Sequence, residues 1–463
     1  MIVRALRTGM VAAALAVTMT AGATASAADL AGSSGVGDPY FPDSGNGGYN
    51  ATHYDVALRF TPKDHRIAAT VTMTARATQA LRSFNLDFRG PEVVSVTVDG
   101  RRAEFARQDD ELVITPASVL VEGAEFKAVV SYAGRPKARK NGTLGTYGWV
   151  RSRDGAVVLA EPDGAANWMP VNDHPSDKAT YDFAITVPKR LKALANGEPL
   201  APVAHGNLTT YHWRQSAPMA SYLASVAIGK FEITYGRVGK ITVITAVDPK
   251  FKKSLDDVHR RTVKALRWGR KAFGPYPFRT SGAVVDDPKL DYALETQDRP
   301  VYGGFVPNDD FIVHELAHQW FGNSVTVREW KDIWLNEGFA TYAEWMWREH
   351  VSKKDSAAKT FNSYYRQPGT SPIFASPPGS PGREQMFGFP VYVRGAMTLH
   401  VLRKRVGDKK FSRILKTWAA EQAGGHGTTE QFTALAERIS GKELDKLFDV
   451  WLYRKGKPKR GSW

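Results

Sequence analysis

Two histidines and two glutamates in the second half of the chain have the types and spacing of a metal-dependent hydrolytic site. His314 and His318 stand at i and i+4, so on a helix their imidazoles share one face and can bind one ion. Glu315 lies off that face, where it can reach a metal-bound water. Catalytic zinc takes three protein ligands and one open position, and Glu337, after 18 intervening residues, supplies the third ligand. The sequence therefore predicts one Zn2+ per chain, held by His314, His318 and Glu337.

Two predicted helices position these side chains. Asn308 and the two aspartates that follow it can cap a helix carrying both histidines, and Gly322 is a natural stop. A second helical pattern runs from Trp334 to Met346, with Glu337 in its first turn. The alternative is a chance match to the His-Glu-x-x-His pattern. A correctly spaced glutamate on a second helix argues against it.

The first 27 residues have the features of a secretory signal peptide. Arg4 and Arg7 precede an apolar run over residues 10–19, and a small-residue cleavage sequence, Ala-Ser-Ala, ends at Ala27. The apolar run is too short to span a bilayer, and no later stretch is long enough. We therefore expect a secreted protein without a transmembrane segment, cleaved near Ala27. The chain has no cysteine, so stability must come from packing and bound metal rather than disulfides.

The chain is basic, with a formal net charge of +15 at pH 7, and loss of the two signal-peptide arginines leaves +13. Such a charge favours anionic partners, but no nucleic-acid motif accompanies it and most basic residues are scattered. The one dense basic cluster is the tail at residues 454–463. We interpret it as a solvated tail, with electrostatic contact to an anionic cell envelope as the alternative. We expect a monomer with no nucleic-acid partner.

Composition and pattern divide the rest of the chain into segments. Residues 28–48 are rich in Gly, Ser, Asp and Pro, which predicts a flexible leader. Short alternating segments over residues 49–232, with a hairpin signal at Asp99-Gly100, predict an antiparallel β domain. Helical patterns dominate residues 233–453, which include the zinc motif and are predicted to form a catalytic domain.

Some charged residues near these motifs are interpreted as structural. Asp173, Asp177 and Lys178 follow a loop of the β domain and are predicted to form a solvated or locally paired cluster. Asp332 precedes the second helix of the zinc motif. We interpret it as an exposed loop acid, with a contact to a zinc-binding histidine as the alternative.

Several motifs resemble one protein family. The runs HELAH at residues 314–318 and WLNEGFA at 334–340 are similar to those of the aminopeptidase N-like zinc metallopeptidases, whose wider clan includes thermolysin. The runs FGPYPF at 273–278 and YVRGA at 392–396 extend the resemblance, with Arg394 where the family usually has Lys. The resemblance implies an α+β fold: an antiparallel β domain followed by a thermolysin-like, mainly helical catalytic domain. The C-terminal helical domain of large relatives is expected to be absent.

The resemblance also implies roles for residues outside the zinc motif. Tyr392 would donate a hydrogen bond to the developing oxyanion. Glu295 would bind the free α-amine of the substrate together with Glu161, because two carboxylates can grip one ammonium group. The strand through Ala293 would pair with the peptide backbone.

The predicted function is that of a secreted zinc aminopeptidase acting on peptides, with Glu315 as general base and then general acid. The family's exopeptidase signature, Gly-Ala-Met-Glu-Asn, stands here as YALET, so Tyr292 and Thr296 depart from it. These departures favour, as the alternative, an endopeptidase or other hydrolase of the same clan with an altered amine site. The net charge and the basic tail motivate a third possibility, a non-catalytic protein that binds the cell envelope.

Overall fold

The computed structural model describes residues 30–142, 145–352 and 355–461. The predicted signal peptide at residues 1–27 lies outside these ranges. Within them a β-rich N-terminal domain is followed by a mainly helical domain. This arrangement confirms the predicted α+β fold class.

The N-terminal domain is built from strands that bury every second side chain. In β1, for example, Tyr54, Val56, Leu58 and Phe60 are buried while the residues between them face outward, as the period of a strand requires. The strands of this domain are β1 (Tyr49–Thr61), β2 (Arg66–Ala77), β3 (Phe84–Asp87), β4 (Glu92–Val98), β5 (Arg101–Arg102), β6 (Glu104–Gln108), β7 (Glu111–Thr115), β8 (Glu125–Gly134), β9 (Ala138–Asn141), β10 (Gly145–Arg151), β11 (Ala156–Leu159), β12 (Lys178–Pro188), β13 (Lys192–Ala195), β14 (Glu198–Pro199), β15 (Val203–His205), β16 (Leu208–Ala220) and β17 (Val226–Gly229).

Three sheets make up this domain. The largest has nine strands in the order β14-β16-β12-β1-β2-β8-β4-β5, with β15 beside β16. A five-stranded sheet has the order β13-β17-β11-β10-β9, and a three-stranded sheet has the order β3-β7-β6. Among the strand ladders of the described residues in this domain, β1 pairs in parallel with β12, and the other ladders are antiparallel. The predicted antiparallel arrangement therefore holds with this one exception.

The second domain combines a small mixed sheet with helices. Its strands are β18 (Glu232–Val238), β19 (Ile241–Val247), β20 (Thr280–Asp286), β21 (Ala293–Leu294), β22 (Val301–Gly303), β23 (Thr326–Val327) and β24 (His426–Gly427). Its helices are α1 (Leu255–Ala272), α2 (Asp309–His318), α3 (Trp334–Val351), α4 (Ala357–Tyr365), α5 (Gly395–Val406), α6 (Asp408–Glu421), α7 (Thr429–Ser440) and α8 (Asp445–Phe448), with π-helical turns at Pro390–Arg394 and Asp449–Tyr453. The sheet order is β18-β19-β20-β22-β21, which leaves the short β21 at one edge.

The N-terminal segment at residues 30–48 corrects the expectation of a flexible leader. Asp38 is 2% exposed, and its Oδ2 accepts a hydrogen bond of 2.7 Å from the backbone N–H of Trp330 in the helical domain. The same oxygen lies 3.2 Å from Nε2 of His174 in the β domain. A buried carboxylate is held in place by such partners. The segment therefore fastens the two domains together.

Lys178 forms a second link between the domains. Its Nζ donates to the carbonyl oxygens of Asn323, Ser324 and Gly425 at 3.0, 2.9 and 3.1 Å. Nearby Asp173 is 1% exposed. Its carboxylate accepts a hydrogen bond from the Ser221 hydroxyl at 2.6 Å, so the structure fits the locally paired alternative for this group rather than the solvated one.

The described part of the basic tail packs against the helical domain. Tyr365, at the end of α4, donates its hydroxyl to the carbonyl oxygen of Pro458 at 2.6 Å. The ammonium of Lys457 lies 4.6 Å from the centre of the same ring, within the range of a cation–π contact. This packing differs from the wholly solvated tail that the sequence predicts.

Candidate active site

The predicted metal ligands converge on one point. Nε2 of His314 lies 3.3 Å from Oε2 of Glu337, and Nε2 of His318 lies 3.5 Å from the same oxygen. Zinc bonds of about 2.0–2.1 Å in a tetrahedron place neighbouring ligand atoms about 3.3–3.5 Å apart. The three atoms therefore have the chemistry and the separations that zinc requires.

The second nitrogen of each imidazole has a partner that orients the ring. Nδ1–H of His314 donates to Oε1 of Glu344 at 2.8 Å, and Nδ1–H of His318 donates to the carbonyl oxygen of Phe321 at 3.2 Å. These bonds place a proton on Nδ1 and leave the lone pair of Nε2 for a metal. Both histidines are thus held in the tautomer that a zinc ligand needs.

Glu344 makes the contact with a histidine that was the alternative prediction for Asp332. Asp332 is 1% exposed, and its Oδ1 accepts a 2.6 Å bond from the hydroxyl of Thr429 instead of contacting a histidine. Both interpretations of Asp332 are therefore wrong, because α7 covers it. Glu344 lies seven residues after Glu337 in α3, so two helical turns place both carboxylates on one face. The contact of Glu344 could have been predicted from this seven-residue spacing.

Arg348 extends this chain of contacts away from the metal ligands. Its guanidinium donates to Oδ1 and Oδ2 of Asp310 at 2.9 and 2.8 Å, and it lies 3.4 Å from Oε2 of Glu344. Such charge-assisted bonds fix the Glu344 carboxylate in one orientation. The pairing also ties the first turn of α2 to the last turn of α3, the two helices that carry the predicted ligands.

Glu315 faces the same cavity as the metal ligands. One oxygen of its carboxylate, one oxygen of the Glu295 carboxylate and one ring nitrogen of His318 lie within 4.8 Å of one another. Burial raises the pKa of Glu315 to about 8, although the nearby imidazoles of His314 and His318 oppose the rise. A carboxylate with a pKa near neutrality is suited to accept and return a proton.

Glu161 and Glu295 meet in the cavity from different domains. Glu161 follows β11 and Glu295 follows β21, yet their carboxylates and that of Glu337 lie within 4.8 Å of one another. They are 4% and 2% exposed, and Oε1 of each has no hydrogen-bond partner among the described residues. Burial and the facing Glu295 carboxylate raise the pKa of Glu161 well above its usual range. The two glutamates therefore give this part of the cavity a concentrated acidic lining.

Two side-chain amides that were not among the predicted site residues, those of Gln319 and Asn323, hold Glu295 in place. Gln319 Nε2 and Asn323 Nδ2 both donate to its backbone carbonyl, at 3.0 and 2.7 Å. Gln319 directly follows the His-Glu-x-x-His run, so the helix that carries the histidines also anchors the Glu295 segment. Adjacency to the motif was the one signal that the sequence offered.

The two departures in the YALET run have structural partners. Tyr292 lines the cavity and donates its hydroxyl to the carbonyl oxygen of Thr146 in β10 at 2.7 Å. Thr296 is 1% exposed and donates its hydroxyl to the carbonyl oxygen of Arg299 at 2.5 Å. Between them, Ala293 lies in β21, the edge strand beside the cavity. An edge strand offers unpaired backbone groups to an extended peptide.

Tyr392 reaches the cavity because two helices approach closely. A Cβ atom on Gly338 would lie 3.0 Å from the backbone of Gly395, so α3 and the start of α5 can touch only without side chains there. The Tyr392 ring lies parallel to that of His314, with 6.1 Å between their centroids. Burial raises the pKa of Tyr392 well above its usual range, so the hydroxyl keeps its proton as a donor.

Arg394, which stands where the family has lysine, is buried beneath this segment. Its guanidinium donates to the carbonyl oxygens of Val450, Trp451 and Arg454 at 3.1, 2.9 and 2.6 Å. The forked donor set of arginine suits several carbonyls at once better than an ammonium does. The π-helical turn at Asp449–Tyr453 is thereby fastened to the segment that carries Tyr392.

These side chains line one cavity of about 440 Å3 between the domains. The residues that contribute to it include Glu161, Tyr292, Ala293, Glu295, His314, Glu315, His318, Glu337, Glu344 and Tyr392. A volume of this size fits a few amino-acid residues.

Comparison with known proteins accounts for both domains. A model of the peptidase M1 N-terminal domain matches residues 50–223, and a model of the peptidase family M1 domain matches residues 307–451. The chain belongs to the M1 family of peptidases. M1 membership implies a catalytic zinc ion, and the ligand-type atoms of His314, His318 and Glu337 have separations that fit one.

Among M1 relatives, the chain is 25% identical over 413 residues to probable aminopeptidase 2 of Sulfurisphaera tokodaii, which covers 81% of this chain and 50% of that protein. It is 27% identical over 416 residues to the leucyl aminopeptidase of Saccharolobus solfataricus, with the same coverage. The chain therefore spans about half the length of the curated relatives that it matches.

Solved M1 structures match over nearly their whole length. The M1 zinc metallopeptidase of Deinococcus radiodurans is 29% identical, with a TM-score of 0.85, and the match covers 92% of this chain and 99% of that one. A variant of the D. radiodurans protein was solved with Tyr-Ser-Ala as substrate, at a TM-score of 0.83 and 29% identity, over 92% of this chain and 99% of that one.

Proposed function

We propose that this M1 peptidase is a secreted zinc aminopeptidase that hydrolyses the N-terminal residues of peptides. The observation that carries the proposal is the buried pair Glu161 and Glu295, each with one carboxylate oxygen that has no partner among the described residues. Two such carboxylates are costly to bury unless a cation joins them. The free α-ammonium group of a peptide supplies that cation, whereas an internal peptide bond does not.

The remaining groups of the cavity divide the work of peptide hydrolysis. Zinc, when bound, lowers the pKa of the attacking water towards neutrality and polarises the scissile carbonyl. Glu315 accepts the proton of the attacking water and returns it to the leaving amine. The protonated hydroxyl of Tyr392 donates a hydrogen bond to the oxygen that gains negative charge. The edge strand at Ala293 aligns the peptide backbone beside these groups.

Solved relatives support a substrate with a free N-terminus. Variants of M1 zinc metallopeptidases were solved with Tyr-Ser-Ala, L-tryptophan and L-arginine. Each of these molecules carries a free α-amine. We expect this chain to accept peptides of the same kind, with the Tyr292 side chain shaping the part of the cavity next to Ala293.

The test compares a free-amine aminoacyl amide with its N-acetylated twin. We expect wild type to cleave only the free amine, and Glu295→Gln to lower its kcat/KM roughly 10- to 100-fold, as loss of a hydrogen bond to a charged group would. Asp182→Asn, on the nine-stranded sheet away from the cavity, is the matched control and should retain full activity. Equal cleavage of both compounds by both proteins would favour the endopeptidase alternative.

Secretion is the second part of the proposal. The basic residues, apolar run and small-residue cleavage site of residues 1–27 support it. Among the described residues, none of the helices is long and apolar enough to cross a bilayer. N-terminal sequencing of protein recovered from the culture medium should begin near Ala28. Recovery of the protein from the cell interior with residues 1–27 intact would overturn this part.

A further inference from the structure

A second group of acidic side chains lies at the end of the small sheet in the helical domain. β19 and β20 are parallel neighbours, and Val247 pairs with Val285. The next residues along the two strands are Asp248 and Asp286, so the parallel register places them side by side. Asp287 follows directly. Oxygen atoms of these three carboxylates lie within 4.8 Å of one another, and we call the group the aspartate triad.

The triad is buried. Asp286 is 1% exposed, Asp248 is 2% exposed, and the side chain of Asp287 is 15% exposed. Oδ1 of Asp286 accepts a 2.8 Å bond from the backbone N–H of Asp287. Its Oδ2 is buried and has no hydrogen-bond partner in the described part of the chain. An unpartnered buried carboxylate oxygen among other carboxylates is unfavourable unless a cation or a proton is bound there.

One arginine partly balances this negative charge. Arg153, in the turn between β10 and β11, lies 3.1 Å from Oδ1 of Asp248 and 3.7 Å from Oδ2 of Asp287. Asp154 in the same turn adds a fourth carboxylate, and its charge helps to raise the pKa of Asp286, which burial brings to about 8. Arg153 has no contact with the unpartnered oxygen of Asp286 among the described hydrogen bonds. Arg153 is therefore the one cationic side chain that the described ion pairs place against the triad, while the charge of Lys230 acts on Asp154.

We propose that the aspartate triad is a binding site for a hard divalent cation, Ca2+ in preference to Mg2+, separate from the zinc site. Its donors are all oxygens, which suit Ca2+ rather than zinc. Two oxygens bound to one Ca2+ at about 2.3–2.6 Å stand up to about 5 Å apart, and the separations in the triad fall within that limit. Mg2+ demands a near-ideal octahedron and usually keeps several waters, which an enclosed strand end suits less well than the flexible coordination of Ca2+.

A second cluster of similar composition shows why the triad differs. His53, Asp55 and Asp182 also lie within 4.8 Å of one another on the surface of the nine-stranded sheet. There Asp182 is paired through both oxygens with Arg214, at 2.9 and 2.7 Å, and Asp55 is exposed. No buried orphan oxygen occurs among the described atoms of that cluster. It is a natural control for the triad.

The position of the triad gives the ion a structural role. The turn with Arg153 and Asp154 belongs to the β domain, whereas the triad belongs to the helical domain. Asp287 begins the segment that leads to Tyr292 in the active-site cavity. Bound Ca2+ would join this turn to the end of β20 and hold the start of the segment.

The test is isothermal titration of the full-length, zinc-loaded protein with CaCl2 after dialysis against EGTA, with zinc content measured before and after. We expect one Ca2+ per chain with a Kd of about 1 mM or below, and weaker binding of Mg2+. Asp286→Asn should weaken calcium binding about tenfold or more, because it removes a charged ligand. It should still fold, because an amide resembles the protonated carboxyl. Asp182→Asn should bind Ca2+ as wild type does.

A further variant separates ion binding from a merely structural acid cluster. Arg153→Gln removes the resident positive charge, so it should tighten calcium binding, whereas a cluster held only by Arg153 would be destabilised without binding more ion. The proposal is overturned if wild type shows no calcium binding up to about 10 mM, well above the range of extracellular calcium modules. It is equally overturned if Asp286→Asn binds Ca2+ as tightly as wild type does.

Discussion

The active-site cavity and the aspartate triad both concentrate buried carboxylates, but different groups accompany the acids. In the cavity two imidazoles stand within 3.5 Å of Glu337, and each ring is oriented by a partner on its other nitrogen. In the triad the acids are joined by one guanidinium at the domain boundary. Nitrogen donors with one carboxylate select zinc, whereas an all-oxygen set selects a hard cation. The chemical types of the donor atoms, more than the number of carboxylates, therefore decide which cation a buried acidic cluster can bind.

The two regions also differ in the space around their carboxylates. Glu161 and Glu295 line a cavity of about 440 Å3, which has room for a peptide, although the unpartnered oxygen of each is buried. That of Asp286 is enclosed at a strand end. Carboxylates that line a cavity suit a substrate that binds and leaves, whereas a carboxylate enclosed at a strand end suits a permanently bound ion.

The largest expected effect comes from removing the carboxylate of Glu315, the proposed general base. Glu315→Gln should lower kcat about 10²- to 10⁴-fold, because the attacking water loses its proton acceptor. The zinc content should stay at one ion per chain, and the calcium affinity of the triad should not change. Steady-state kinetics with metal analysis checks this. Retention of more than a tenth of the activity would show that another group serves as base.

Asp286→Asn tests the triad through the pH dependence of stability. The folded pKa of Asp286, about 8, lies above its ordinary value of 3.8, so the folded state holds the proton more tightly. Without calcium, wild type should therefore lose stability relative to the variant as pH rises from 5 to 8, by at most about 1.4 kcal/mol per pH unit. Urea unfolding in EGTA at several pH values measures the difference. A constant difference across this range would contradict the assigned titration.

Calcium should abolish that loss of stability in proteins that keep Asp286. An ion that binds the folded state stabilises it, and it binds best when the triad is ionised. The stability of wild type in saturating CaCl2 should therefore no longer fall between pH 5 and 8. Asp182→Asn should follow wild type in both conditions.

Glu344→Gln tests the support of the zinc ligands. The amide can no longer accept the His314 Nδ1–H as a charged partner, so zinc affinity should fall about 10- to 100-fold. Competition with a zinc chelator measures the affinity. Asp332→Asn is the matched control, since Asp332 contacts Thr429 rather than a histidine, and its zinc affinity should equal that of wild type. Equal losses in both variants would mean that the effect is not specific to the His314 contact.

The smallest effect is expected at Arg394, which belongs to neither cluster. Arg394→Lys keeps the charge but loses the fork that joins three carbonyls, so the free energy of unfolding should fall by about 1–2 kcal/mol. Zinc and calcium affinities should remain unchanged. Thermal denaturation and both titrations check this. A change in either affinity would show that the C-terminal turn is coupled to an ion site.

The parts of the fold with strong periodicity were predictable from the sequence. The alternation in β1, the Asn308 cap of α2 and the helical patterns of α2 and α3 each depend on residues close together in the chain. The burial of Asp332 and its hydrogen bond were not predictable from the sequence, because its partner Thr429 lies 97 residues away. The same holds for the triad, since the pairing of Asp248 with Asp286 appears only when β19 and β20 are known to be parallel neighbours. Local patterns identified chemistry, while burial by distant segments decided which acids were exposed.

The contact between Asp38 and Trp330 also constrains how the protein is made. The two residues are separated by 292 positions, so Asp38 leaves the ribosome long before its partner does. At a synthesis rate of about 5–20 residues per second, the delay lasts roughly 15–60 s. During that interval the β domain is synthesised, but the segment around Asp38 can reach this contact only after Trp330 has been added to the chain. The N-terminal segment is thus among the first parts of the chain to be translated and among the last to reach its final contacts.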